Sequence, residues 1–150
     1  MIYDIVHNPV VIAGFIAMLS AQLMKPFAHY FIAREWDWFL VISNGGMPSS
    51  HSALTTAVTM AVGMVSGYDT PAFGVALAIT SVVTYDAANV RWQSGLHARR
   101  INQLIRDVFS GREITEDFLK EVIGHTPREV YGGVLWGIIV AIVVTEIWFL

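Results

Sequence analysis

The sequence of 150 residues contains no cysteine and few charged residues. Without cysteine the chain forms no disulfide, and cysteine usage gives no information about the redox state of its compartment. Charged residues make up 14% of the chain against 55% hydrophobic residues, and the mean hydropathy is +0.55. This composition excludes a typical soluble domain. Internal repeats, low-complexity tracts and linkers are also absent, which predicts a single domain over residues 1–150.

Basic residues are missing from the two ends of the chain and from the turn at residues 66–70. Asp4 is the only charged residue before the first apolar stretch, so this stretch lacks the basic region of a cleaved signal peptide. All nine lysines and arginines lie in two segments, two between the first and second apolar stretches and seven within residues 91–128. The positive-inside rule predicts that both segments are cytoplasmic and that both termini face outward.

Four apolar stretches are long enough to approach the roughly 20 residues that cross a bilayer. They cover residues 8–24, 51–67, 71–90 and 129–150. The predicted fold is an all-α integral membrane helical bundle of about four transmembrane helices plus interfacial amphipathic helices. With the basic segments inside, the predicted location is a bacterial cytoplasmic membrane, with the site facing the cytoplasm.

The basic segment 91–128 has helical periodicity. Apolar residues from Ile101 to Val108 recur at helical spacing opposite Arg99 and Arg106, which predicts an amphipathic helix at the interface. A second short helix is predicted at about residues 114–123. The aromatic stretch 36–39 is expected to be an interfacial anchor or a short re-entrant piece.

Two glycines, Gly133 and Gly137, are four residues apart in the last apolar stretch. This spacing permits close contact between helices, either within the chain or across a homodimer.

Ionisable residues cluster at one predicted membrane face, although they come from four helices far apart in sequence. Such residues near the hydrocarbon are costly and are usually functional. The cytoplasmic ends of the predicted helices carry Lys25, His51, Asp86, Arg91, His125, Arg128 and Glu129.

A polar loop, Asn44 to Ser52, opens directly into the second apolar stretch. The unpaired N–H groups and the dipole of a helix N-terminus favour an anion such as phosphate. Ser49 and Ser50 add hydroxyl donors, and His51 adds a group that can protonate a leaving oxygen near neutral pH. The alternative is an ordinary helix start with Ser49 as the N-cap.

Structural explanations exist for other candidates as well. Asp86 and Arg91 are five residues apart and could form a local ion pair. Thr126, Pro127 and Glu129 fit the N-cap, N1 and N3 positions of a capping box. Glu129 also follows His125 by four residues, close enough to orient the imidazole, so one carboxylate could do either job.

Three motifs in order resemble a known family. Pro48-Ser49-Ser50-His51 resembles the Pro-Ser-Gly-His motif of the type 2 phosphatidic acid phosphatases, which are relatives of the vanadium haloperoxidases. The wider pattern is similar to the small divergent branch of that superfamily, from about Gln22 to the C-terminus. The residues that carry it, besides the first motif, are Tyr85-Asp86-Ala87, Val90-Arg91, Gly95, Ala98, Asn102, Gly124-His125, Pro127, Glu129 and Val130.

The chain departs from the parent superfamily in its first and third motifs. Seven residues after Lys25, where the superfamily has arginine, stands Ile32. Six residues before His125, where it again has arginine, stands Leu119. Arg91 does precede His97 by six residues, so the nucleophile implied by the resemblance is either His125 or His97, and the acid partner at Glu129 favours His125.

The resemblance implies metal-independent hydrolysis of a phosphomonoester or pyrophosphate through a phosphohistidine intermediate, without a cofactor. His125 would attack phosphorus with Glu129 holding its tautomer, and His51 would protonate the leaving alkoxide. Lys25, Arg91 and the backbone amides of Ser49 and Ser50 would bind the phosphate oxygens. Asp86, His97, Asn102 and Arg128 are further candidates for the site.

The expected partners are a lipid phosphate and the bilayer, with no nucleic acid. Two other classes of function stay open. One is a protein that binds or transports lipid phosphates without catalysis. The other is a metal-dependent membrane hydrolase with His51, Asp86, His125 and Glu129 as ligands.

Overall fold

The computed structural model describes residues 2–43, 45–108 and 124–149, and every regular element in these ranges is helical. The predicted helix at residues 114–123 lies outside the described residues. The elements are α1 (Ile2–Val6), α2 (Pro9–Ala33), a 3₁₀ helix (Trp38–Val41), α3 (Ser50–Ser66), α4 (Pro71–Tyr85), a π-helical segment (Asp86–Val90), α5 (Arg91–Val108) and α6 (Pro127–Phe149).

Three of the helical rods are long and apolar enough to cross a membrane. They are α2, the continuous helix from Pro71 to Val108, and α6. The remaining predicted span, the second in chain order, is α3, which has 17 residues and packs against α2, α4 and α6. A helix enclosed by other helices needs a less apolar surface than one that faces lipid, which accounts for its serines and threonines. The predicted helical membrane bundle is confirmed.

Helix α2 extends nine residues beyond the predicted end of the first span at residue 24. Asn8 begins it by accepting hydrogen bonds from Val10 and Val11, and Arg34 ends it in the left-handed conformation at φ 60°. The prediction stopped before Lys25 and Pro26, yet both lie buried inside the helix. Proline is tolerated within membrane helices because neighbouring groups satisfy the freed backbone. Lys25 is therefore an intrahelical residue, not a helix end.

Helices α3 and α6 approach each other through small residues. A Cβ added at Gly137 would lie 2.5 Å from the carbonyl oxygen of Ala53, and one at Gly133 would lie 2.9 Å from Ser52 Cβ. The glycine pair thus serves contact within the chain, the first of the two options left by its spacing. This face of α6 is covered by α3.

Helices α4 and α5 form one continuous rod of 38 residues instead of a span and a separate interfacial helix. The junction is the π-helical segment, where the backbone N–H of Arg91 donates to the carbonyl of Asp86, five residues earlier. Beyond it, α5 exposes Leu104 and Val108 and buries Ala98. The periodicity of residues 101–108 indicated the helix but not its continuity with α4.

The aromatic stretch 36–39 packs back on the end of α2. Trp36 stacks on Tyr30 with ring centroids 4.9 Å apart and on Trp38 at 5.4 Å. The chain then turns into the 3₁₀ helix, which Asp37 caps by accepting from the N–H of Phe39 at 2.9 Å. This arrangement leads the chain from α2 back toward the start of α3.

Candidate active site

Four of the sequence-predicted residues line one cavity of about 390 Å³ at the end of the bundle where α3 and α6 begin and α4 ends. Helix α3 contributes His51, the π-helical segment and the start of α5 contribute Asp86 and Arg91, and the residue before α6 contributes His125. The remaining lining residues are Val82, Val83 and Ala87.

The π-helical segment brings Asp86 and Arg91 together. Residues five apart in an α-helix point about 140° away from each other, whereas i→i+5 hydrogen bonding places them on the same side. Arg91 Nε donates to Asp86 Oδ2 at 2.5 Å, with both side chains partly exposed. The ion pair foreseen from the sequence forms, and it uses one of the five N–H donors of the guanidinium.

His125 and Glu129 form a second pair, at the start of α6. Nδ1 of His125 lies 3.0 Å from Oε2 of Glu129, and the histidine is buried. The same oxygen accepts the backbone N–H of Thr126 at 3.1 Å, while Thr126 Oγ1 accepts the N–H of Glu129 at 3.4 Å. Glu129 therefore does both jobs that the sequence left as alternatives. The bond at Nδ1 leaves Nε2 as the ring nitrogen for the cavity.

The backbone of His125 is attached to the π-helical segment. Its N–H donates to the carbonyl oxygen of Ala87 at 3.2 Å. A Cβ added at Gly124 would collide with the backbone of Arg91 and Trp92. Glycine at 124 thus permits the close approach that holds the imidazole beside the Asp86–Arg91 pair.

The loop before α3 is attached to α6 through Ser49. Its N–H donates to the carbonyl of Glu129 at 2.9 Å, and its hydroxyl accepts from Ser52 N at 3.4 Å and from Ser52 Oγ at 3.0 Å. The side chain has no exposed surface. The expectation that the Ser49 amide faces a phosphate is not met here, because that amide already has an acceptor within the fold.

Two other backbone amides at the N-terminus of α3 are better placed than that of Ser49 to bind an anion. The first intrahelical bond of α3 runs from the N–H of Ala53 to the carbonyl of Ser49 at 3.0 Å. The N–H groups of Ser50 and His51 precede that bond and belong to the first turn, which the helix leaves without an intrahelical acceptor. Ser49 is the N-cap of α3, and Ser50 follows it as a buried residue of the first turn that is not part of the cavity lining.

Lys25 lies beneath the loop instead of in the cavity lining. It is 1% exposed, and its Nζ donates to the carbonyl of Ser43 at 2.9 Å. A Cβ added at Gly46, whose φ is +92°, would lie 3.5 Å from Lys25 Cδ. Lys25 is thus a buried basic residue beneath the loop Asn44 to Ser52, which is predicted to bind phosphate.

The remaining candidates lie away from the cavity lining. His97 and Arg128 are exposed, on α5 and α6, and Asn102 is buried on α5. Leu119, at the position of the missing arginine, lies outside the described residues. Within the part of the chain that the structure describes, His125 pairs with Glu129 and lines the cavity, whereas His97 is not among the lining residues.

Two positioning residues were not among the sequence candidates. Gln22 donates through Nε2 to the carbonyls of Val41 at 2.6 Å and Ser43 at 3.2 Å, so it holds the same loop as Lys25. The sequence signal for Gln22 was a polar amide side chain inside an apolar helix. The side chain of Ala87 gave no signal for its role, because its contribution is a backbone carbonyl.

A metal site does not form from the predicted ligands. Within residues 2–43, 45–108 and 124–149, no three side chains of histidine, cysteine, aspartate or glutamate are arranged to hold a metal ion. The set of His51, Asp86, His125 and Glu129 required by the metal-dependent alternative is therefore not assembled.

Comparison with known sequences identifies the family. The sequence profile of the divergent PAP2 family matches residues 6–140. The chain belongs to the divergent PAP2 family. A family-level resemblance inferred from the three motifs is thereby confirmed. The chain is also similar to the uncharacterized membrane protein YuiD of Bacillus subtilis (strain 168), at 34% identity over 93% of this chain and 96% of that protein. No solved structure matches the chain.

Proposed function

We propose that this membrane protein is a lipid-phosphate phosphatase that works through a phosphohistidine intermediate at the cytoplasmic face of a bacterial membrane. The observation that carries the proposal is the cavity in which a carboxylate-paired His125, His51 and Arg91 meet. A nucleophile oriented by an acid, a proton donor and a cation are the three groups that phosphoryl transfer through a phosphohistidine uses.

In the first step His125 Nε2 donates its lone pair to phosphorus, and the bond from phosphorus to the lipid oxygen breaks. His51 protonates that oxygen as it leaves. Glu129 accepts the hydrogen bond from Nδ1–H, which fixes the tautomer and stabilises the positive imidazole ring. In the second step His51 takes a proton from water, the water oxygen attacks phosphorus, and the bond to Nε2 breaks to release phosphate.

Charge on the transferring group is stabilised by groups from three elements. Arg91 reaches the phosphate oxygens with N–H groups other than the Nε bonded to Asp86. The first-turn amides of Ser50 and His51 add helix N-terminal donors. Lys25 contributes from beneath the loop through space, because its ammonium already donates to Ser43.

The substrate class follows from the location of the cavity. His51, Asp86 and His125 lie at the ends of apolar helices, so a phosphate there belongs to a molecule at the membrane surface. The positive-inside rule, applied to the two segments that hold all nine basic residues, supports a cytoplasmic surface. Phosphatidate, phosphatidylglycerophosphate and polyprenyl phosphates or pyrophosphates all satisfy these requirements.

A second candidate is a protein that binds or transports lipid phosphates without hydrolysis. The substitution of arginine by Leu119, six residues before His125, favours it, because one phosphate ligand of the parent superfamily is lost.

The test measures phosphate release from a panel of lipid phosphates by the purified protein in detergent. The phosphatase proposal expects release that survives EDTA, is inhibited by vanadate and disappears in His125→Ala. Binding of a lipid phosphate without release by the wild-type protein would favour the second candidate. Release abolished by EDTA would contradict the metal-independent mechanism.

A further inference from the structure

An apolar groove runs along the seam between α3 and α4, on the side of the seam that also holds the cavity. It has a volume of about 610 Å³ and is bordered by Leu54 and Val58 of α3 and by Val75 and Ile79 of α4. Two small residues, Ala72 and Ala76, also line the groove. This groove is not used by the chemistry described above.

The helix geometry aligns the groove with the cavity. Along α4, Val75, Ile79, Val82 and Asp86 follow each other at spacings of four, three and four residues, so they lie in one stripe. The first two border the groove, and the last two border the cavity. Along α3, His51 of the cavity lies in the same stripe as Leu54 and Val58 of the groove.

Hydroxyl groups along the groove are already bonded within the protein. Thr80 Oγ1 lies 2.8 Å from Thr59 Oγ1 and donates to the carbonyl of Thr55 at 2.9 Å. Thr55 Oγ1 donates to the carbonyl of His51 at 3.1 Å. The threonines therefore present mainly apolar surface to the groove, and its lining favours hydrocarbon over a polar ligand.

The groove runs along α4 from beside the cavity toward the start of the helix. Its α4 side runs from Thr80 to Pro71, about 14 Å at 1.5 Å per residue. Since Pro71 follows the turn that is predicted to be external, the groove reaches into the half of the bilayer beyond the cavity. A chain attached to a phosphate in the cavity would pass Val82 and enter the groove in the direction of the bilayer interior.

We propose that the groove between α3 and α4 binds the hydrocarbon chain of the lipid whose phosphate occupies the cavity. This inference rests on the proposed function and deepens it, because it identifies the chain as a recognised part of the substrate. The groove makes the protein selective for long-chain lipid phosphates over short-chain ones. Binding energy from the chain positions the phosphate against His125.

The test is to fill the groove with a bulky side chain. Ile79 borders the groove, so Ile79→Trp places a bulky ring in it. The control is Leu77→Trp, which adds the same bulk at an exposed position of α4 outside the groove lining. Each purified variant is assayed in detergent with dioleoyl and with dibutyryl phosphatidate. The expected result is a loss of about tenfold or more in kcat/KM for the dioleoyl lipid in Ile79→Trp alone, with the dibutyryl lipid little affected.

A second measurement does not depend on turnover. Phosphatidate with a photoreactive group in its acyl chain is crosslinked to the wild-type protein, and the attachment site is mapped by mass spectrometry. Labelling of residues 54–59 and 71–80 that is lost in Ile79→Trp supports the groove even if no phosphate is released. An equal loss for both lipids in Ile79→Trp, or labelling elsewhere with hydrolysis intact, overturns the groove while leaving the phosphatase proposal standing.

Discussion

Oε2 of Glu129 accepts a hydrogen bond from the backbone N–H of Thr126 at 3.1 Å and lies 3.0 Å from Nδ1 of His125. One carboxylate oxygen thus caps α6 and orients the imidazole. Since the cap fixes the carboxylate, the acid partner of the histidine is held by the first turn of a membrane helix. A substitution that removes the charge distinguishes the two functions, because stabilising the imidazole requires a negative charge and capping the helix does not.

The first prediction concerns Glu129→Gln. Glutamine retains the capping box but cannot stabilise a positive imidazole by charge. We expect a folded variant with a melting temperature in detergent close to that of the wild type. Its turnover should fall by about two orders of magnitude or more, in line with losses when the carboxylate partner of a histidine is neutralised. Near-normal turnover would reduce Glu129 to a helix cap.

A second prediction concerns the proton donor. His51→Ala should lower kcat on phosphatidate by about 10²–10⁴-fold, with a much smaller change in lipid binding. The defect should shrink on p-nitrophenyl phosphate, whose leaving group needs no proton. His7→Ala, an exposed histidine near the N-terminus, is the control and should behave like the wild type. An equal loss on both substrates would exclude the assignment of His51 to the leaving group.

A third prediction concerns the contact between α3 and α6. Gly137→Ala places a Cβ 2.5 Å from the carbonyl oxygen of Ala53, and the backbone there cannot yield as a side-chain end does. We expect a loss of about 1–3 kcal/mol in stability, typical of overpacking, measured as thermal unfolding in detergent. In Gly74→Ala the added Cβ meets nothing within 4 Å, and stability should be unchanged or higher. Equal stability of the two variants would contradict the packing described.

The fourth prediction is the orientation in the membrane. Labelling with an impermeant thiol reagent is clean, because the native chain has no cysteine. Asp69→Cys, in the turn between α3 and α4, should be labelled from outside intact cells. Ser94→Cys, exposed on α5, should be labelled only after lysis. Labelling of Ser94→Cys in intact cells would refute both the orientation and the cytoplasmic substrate.

Much of the site could be predicted from the sequence because its parts are local. The cap by Ser49, the capping box at Thr126 and the spacing of His125 from Glu129 are relations within one helical turn. The convergence of the four cavity residues, His51, Asp86, Arg91 and His125, could be predicted from the membrane topology. Each of them lies at the end of a predicted span that faces the same side of the membrane.

The rest depended on tertiary structure. The end of α2 was misplaced because the dipeptide Lys25-Pro26 indicates a helix end unless other elements bury it. The π-helical segment that pairs Asp86 with Arg91 was not foreseen, since it differs from an α-helix by the backbone bond from Arg91 N–H to the Asp86 carbonyl, which no residue type in the sequence marks. The Ser49 amide was assigned to phosphate because its acceptor, the carbonyl of Glu129, is 80 residues away in sequence.

The fifth prediction tests the central claim, which is that His125 carries the phosphoryl group. The purified protein is mixed with phosphatidate, quenched within the first turnover and digested, and phosphopeptides are mapped by mass spectrometry. We expect phosphate on His125 in the wild type and in His97→Ala, and neither phosphoenzyme nor turnover in His125→Ala. Phosphate on His97, or turnover by His125→Ala with loss in His97→Ala, would contradict the account and move the nucleophile to α5.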